Sequence, residues 1–225
     1  MPALIGSAPG RGRGKLREMQ QTSFWARRIH SLSGVLPIGA FLLEHMFENS
    51  YSTQGPAAYN AMVMKIQELP YVLWMEVFII ILPILFHAVY GTWIALQAKY
   101  NVVQYPHFRN WMFTLQRITG IILFFYIGMH VYETRVQVFF DESIKLHFFE
   151  YMRDEIFSNP LYVGLYVAGI LSAAFHFANG LWTFGIVWGI TAGRKAQQLS
   201  SYACAGLGVL VAGMGINSLL GFFTH

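Results

Sequence analysis

Four histidines, His45, His87, His130 and His176, each lie in a different long apolar stretch of the chain. An imidazole in hydrocarbon is expensive and marks function by default. Haem iron has two axial positions on opposite faces, so two haems with bis-histidine ligation inside a helix bundle would account for all four. Zinc, which gathers four ligands about one point, and a proton relay in a haem-free, proton-coupled transporter also use imidazoles.

The surrounding stretches have to position these rings. The 225 residues are 55% hydrophobic and 12% charged, against about 25% charged in soluble domains. Residues 200–224 carry no charge, and 160–193 carry none apart from the imidazole of His176. Residues 71–96 hold only Glu76 and 111–132 only Arg117, while the weakest run, 29–46, has Glu44 near its end. A bilayer core of ~30 Å needs ~20 mostly apolar residues in helical form. The expectation is an all-α integral membrane bundle of five transmembrane helices, the first four enclosing two haems. That domain is assigned to residues 25–225, behind a cytoplasmic N-terminal segment at 1–24. Residues 1–21 are basic and Gly-rich and show no signal-peptide core. The one cysteine, Cys204, rules out an intramolecular disulfide or a thiolate cluster from this chain and reads as a packing residue.

The loops orient the bundle. One side takes Arg11, Arg13, Lys15, Arg17, Arg27, Arg28, Lys99, Arg109, Arg194 and Lys195, with Glu18 as its acid. The other has Lys65, Arg135, Lys145 and Arg153 and nearly all the carboxylates. A Lys/Arg excess in short loops marks the cytoplasmic face, which puts the N-terminus inside and the C-terminus outside. The sequence pI near 9.2 is therefore a topology signal; the basic residues flank helices and do not form a face for nucleic acid.

Depth sorts the histidines into pairs. His45 and His130 lie roughly 24–28 Å from the inner face at 1.5 Å per residue, near the outer boundary. His87 and His176 lie about 24–26 Å from the outer face. The outer pair and the inner pair form the two diagonals of a four-helix bundle, so one macrocycle can bridge each. Pairs separated by most of the membrane suit haem better than zinc. Gly34, Gly39, Gly91, Gly120, Gly128, Gly169 and Gly180 either leave room for a flat ring or permit close helix contact.

The motifs RRIHSLSG (27–34), LPILFHAVYG (82–91), FRNWMFTLQRITG (108–120), HVYETR (130–135) and FHFANGLW (175–182) resemble the dihaem cytochrome b anchors of succinate dehydrogenases and fumarate reductases. The likeness is greatest to the single-chain, five-helix, Bacillus-type form, and it extends from about residue 24 to the end. The resemblance implies a multi-pass subunit of a bacterial-type cytoplasmic membrane. In it, spans 2 and 4 hold the inner haem and spans 1 and 3 the outer. It implies a flavoprotein and an iron–sulfur subunit docked on the cytoplasmic side, and a quinone, menaquinone in the expectation, near the outer haem. The assembly is then an enzyme whose dicarboxylate site lies on another subunit. A dihaem anchor of another quinone-linked dehydrogenase is the alternative within the same chemistry.

Further polar residues attach to this scheme. Arg117 is expected about 9 Å deep, where a haem propionate is a strong, directional partner; Arg28, Ser31 and Lys99 stand at the same level. His30 is assigned to the inner propionates or a quinone pocket, with helix-end capping the equal alternative. Glu76, eleven residues before His87, shares its helix face within ~20° and is a candidate for proton exchange with a quinone, as are Glu133 and Glu44. Trp111, Trp182 and Trp188 suit the inner aromatic belt or a haem edge, with the belt preferred. The outer loops at 51–69 and 139–159 are expected to form short interfacial helices. His107, His147 and His225 are assigned no role.

Overall fold

The computed structural model describes residues 24–225. Most of the expected N-terminal segment, including Arg11, Arg13, Lys15, Arg17 and Glu18, falls outside them. All described regular structure is helical. Helix α1 covers residues 24–35, and α2 covers Pro37–Asn49. A 3₁₀ turn, Ser50–Gln54, leads to α3, Pro56–Gln67. Two long helices follow, α4 (Val72–Leu96) and α5 (Phe108–Phe140). A 3₁₀ turn at Glu142–His147 and the short α6, Phe148–Tyr151, then precede α7 (Pro160–Val187) and α8 (Arg194–Thr224).

The expectation of five spanning helices is overturned. Among the described residues four helices, α4, α5, α7 and α8, are long and apolar enough to cross a membrane. The stretch at 29–46 breaks at Leu36, where Pro37 starts a new helix of 13 residues. Proline offers no N–H, and its ring crowds the carbonyl four residues back. Each half reaches only about 20 Å at 1.5 Å per residue, short of the ~30 Å of hydrocarbon. The halves still run the length of the bundle, from His30 against His87 at one end to His45 against His130 at the other.

Local chemistry sets the other boundaries. Pro160 opens α7, and the Asn159 side chain accepts from the Leu161 N–H at 3.0 Å, satisfying an orphan donor. Gly193, at φ +84°, takes a left-handed conformation before Arg194 that a larger residue resists. α4 contains a π turn at Glu76–Ile81, immediately before Pro83. Pro83 cannot donate to the carbonyl four residues back, and a widened turn accommodates that loss. α5 has its own π turn at Tyr132–Val136. Arg135 donates from Nη2 to Glu76 Oε2 at 2.6 Å and from Nε at 3.1 Å, tying the two widened turns together.

The densest packing lies at the end of the bundle where α2 and α8 finish. Tyr59, Phe149, Met152, Ile156, Phe157, Tyr166, Leu219 and Phe222 form one buried cluster, so the segments between the long helices cap the bundle. Ser52 donates to the Ser218 carbonyl at 2.7 Å. Gly221 permits this approach, because a Cβ there would stand 2.6 Å from Ser52 Oγ. α4, by contrast, presents Leu73, Phe78, Leu85, Val89 and Trp93 outward, as a lipid-facing helix does.

Candidate functional site

The fold brings the four histidines together in twos. His87 on α4 and His176 on α7 have ring centres 6.2 Å apart with planes at 78°. His45 on α2 and His130 on α5 have centres 5.8 Å apart and planes at 74°. An imidazole nitrogen binds a first-row metal at about 2 Å, so two rings on opposite faces of one iron have centres roughly 6 Å apart. Both spacings match that requirement. Among the described residues no group of three or more His, Cys, Asp or Glu is placed to hold a metal ion, so a four-ligand zinc site is not formed there.

Hydrogen bonding fixes which nitrogen is free. His87 Nδ1 lies 3.1 Å from the His30 carbonyl, which only accepts, so Nδ1 carries the proton and Nε2 keeps its lone pair. The Ser33 hydroxyl, 3.3 Å from the same nitrogen, gives its proton to the His30 carbonyl. His176 Nδ1 faces Thr119 Oγ1 at 3.3 Å, and that hydroxyl donates to the Leu115 carbonyl at 2.8 Å. Nε2 of His176 is again left as the acceptor. His130 Nδ1 stands 3.2 Å from the Tyr166 hydroxyl. His45 differs, since its Nε2 accepts from Asn49 Nδ2 at 3.3 Å. That contact is long, and the same Asn49 amide donates to the His45 carbonyl at 2.8 Å.

Several glycines sit against these rings. A Cβ on Gly34 would meet His87 Cε1 at 2.6 Å, and one on Gly120 would meet His176 Cε1 at 3.1 Å. Gly91 makes room for His30, whose Nε2 a Cβ would approach to 2.8 Å. Gly39 and Gly169 serve Phe177 and Tyr126, a Cβ on Gly180 would meet Gln116 at 3.5 Å, and Gly128 faces open space. The glycines at the paired imidazoles and those at helix contacts are therefore partly different sets.

At the end of the bundle where α1 begins, His30 stacks on His87, centres 4.1 Å apart. Its Nε2 is buried without a partner, as is Arg117 Nε. Arg117 Nη1 donates to the Phe113 carbonyl at 2.8 Å, and its guanidinium lies over the Phe113 ring. Arg28 lies between the rings of Phe24 and Trp188, 5.0 Å from each centre. Ser31 follows His30 on α1, and Lys99 is exposed in the loop after α4. Buried cationic or N–H donors left unpaired are what an acidic substituent of a cofactor would satisfy. Trp182 is buried instead of lying in an interfacial belt, and its indole donates to the Gln197 carbonyl at 2.9 Å.

The three candidate carboxylates have different fates. Glu76 is paired with Arg135. Glu133 is 5% exposed and accepts from Tyr166. Glu44 is exposed on α2. Sequence reasoning missed Tyr166, Thr119, Asn49 and Glu48. The Glu48 carboxyl is pushed up to about 8, chiefly by burial and further by the hydrogen bond and charge of Glu44. The i,i+4 spacing of those two acids was the available signal.

A helical membrane bundle with two facing imidazole pairs defines the class: an integral membrane protein whose paired rings stand at a spacing that bis-histidine ligation would require. Comparison with known proteins agrees. The model of the succinate dehydrogenase/fumarate reductase transmembrane subunit family matches residues 94–215. The succinate dehydrogenase cytochrome b558 subunit of Bacillus subtilis (strain 168) is 41% identical over 199 residues, covering 88% of this chain and 96% of that one. The chain belongs to the family of succinate dehydrogenase/fumarate reductase transmembrane subunits. It is a membrane subunit of an enzyme complex and bears no dicarboxylate site itself.

Proposed function

We propose that this chain is the cytochrome b anchor of a succinate:quinone oxidoreductase, holding one b haem between His87 and His176 and another between His45 and His130. The observation that carries the reading is the spacing of the two imidazole pairs, 6.2 and 5.8 Å between ring centres. Haems held there supply one-electron stations toward opposite faces of the bilayer.

The chain's own residues set the rest. His30, Ser31, Arg28 and Arg117 gather at the inner end, where they would neutralise and orient the propionates of the inner group. The exposed basic residues Lys99, Arg109, Arg194 and Lys195 flank the long helices at that same end. By the positive-inside rule it is the cytoplasmic end, so α1 begins inside and α8 finishes outside. The iron–sulfur subunit, with its flavoprotein, docks there. Menaquinone meets the chain at the outer end. Because Glu133 is committed to Tyr166 and Glu76 to Arg135, the exposed Glu44 is left as the carboxylate for proton exchange with it.

The test is a reduced-minus-oxidised spectrum of the purified complex, with haem quantified against this chain. Two b haems per chain are expected. Folded protein without b-type absorption would leave a haem-free, proton-coupled bundle as the surviving account.

A further inference from the structure

We propose that Tyr166 and Glu133 form a positioning pair that fixes the ring of His130 for iron ligation and lowers the reduction potential of the outer haem. The inference rests on the reading of His130 as an iron ligand.

The argument starts from one proton. Tyr166 and Glu133 are each 5% exposed. The Tyr166 hydroxyl donates to Glu133 Oε2 at 3.2 Å, and a phenol has only one proton to give. His130 Nδ1, 3.2 Å from the same oxygen, must therefore be the donor. The ring is held as the Nδ1–H tautomer, with the Nε2 lone pair available for metal. The relay runs from imidazole N–H to phenol oxygen, then from phenol O–H to carboxylate.

The surroundings hold this relay in place. Tyr166 is wedged edge-on between Tyr126, at 5.5 Å and 90°, and Phe157, at 4.9 Å and 89°. Gly169 admits the Tyr126 ring, since a Cβ there would stand 2.5 Å from it. Glu133 lies in the π turn of α5, and the Tyr151 hydroxyl donates to its carbonyl at 2.9 Å. A widened turn re-aims side chains, and here it carries a buried acid.

The inner pair is backed differently. His87 leans on a backbone carbonyl and a serine, and His176 on a threonine. Among the described residues no carboxylate stands behind either ring at the hydrogen-bonded nitrogen. An acceptor backed by a carboxylate pulls on the Nδ1 proton and makes the ring a more basic ligand. A more basic axial ligand favours ferric over ferrous iron, so the protein's lever at this site is second-shell hydrogen bonding.

The experiment is a potentiometric titration of the purified complex carrying Tyr166→Phe or Glu133→Gln, beside the unaltered protein. If the unaltered complex binds no haem at His45 and His130, the ligand reading fails before the pair is reached. With both haems present, Tyr166→Phe should raise the midpoint of one haem and leave the other unchanged. A tenfold change in the ferric/ferrous equilibrium is expected, about 59 mV for one electron. Glu133→Gln keeps an acceptor without the charge and should shift the same haem in the same direction by less. It also serves where the tyrosine variant fails to assemble. Selective loss of the outer haem in Tyr166→Phe also supports the pair. Two retained haems with unchanged midpoints in both variants would overturn it.

Discussion

The imidazole of His30 lies flat on that of His87, centres 4.1 Å apart and planes inclined by 11°, while the His30 carbonyl accepts from the lower ring. One residue thus covers its neighbour with its side chain and orients it with its backbone. The consequence is separable. His30→Ala keeps the carbonyl and should keep the inner haem, whereas Gly34→Ala drives a methyl to 2.6 Å from His87 Cε1. We expect Gly34→Ala to lower haem content toward one per chain, and full retention of two would refute the argument.

The pairing itself predicts a pattern of losses. His87→Leu or His176→Leu should remove the inner haem and leave the outer, and His45→Leu or His130→Leu should do the reverse. Haem quantified in the purified complex reads this directly. Four variants that each keep both haems would show the pairs to be wrongly drawn.

Arg135 and Glu76 join the widened turns of α4 and α5 through side chains 39% and 18% exposed. A partly solvated pair contributes on the order of 1 kcal/mol. Arg135→Met should therefore lower the midpoint of thermal unfolding by a few degrees and leave haem content intact. Loss of haem in this variant would mean that the staple supports the site more closely than its exposure implies.

Glu48 gives α2 a pH dependence. Its folded carboxyl is raised to about 8, against about 4.3 in an unfolded chain. Between those values the folded state binds the extra proton, so this group's contribution to stability falls as pH rises through the window. Melting curves of the complex from pH 5.5 to 8.5 should show that decline, and Glu48→Gln should flatten it. A variant with an unaltered slope would remove Glu48 as the cause.

The histidines stand out in the sequence because each lies in a long apolar run with at most one Asp, Glu, Lys or Arg, and the rise per residue gives depth without knowing helix rotation. Rotation decides the rest. Glu133 and Tyr166 meet because α5 widens at Tyr132–Val136, and a fixed 100° step does not carry across a π turn. A regular helix would aim Glu76 along the face of His87, yet its own widened turn and Arg135 draw it toward α5. Pro37 was visible throughout. Hydropathy averaged over residues 29–46 hid its effect, because apolarity says nothing about a missing N–H.

The interruption at Leu36 bears on how the molecule is assembled. Neither α1 nor α2 is long enough to partition into hydrocarbon by itself. They gain their places from neighbours: His30 beneath Gly91, Phe177 over Gly39, and Met46 beside Gly215. This stretch is therefore expected to settle after the four long helices have inserted, bringing His45 with it. The His45–His130 site would then be completed last and should open first. Amide exchange slower at residues 36–40 than in the middle of α7 would contradict that order.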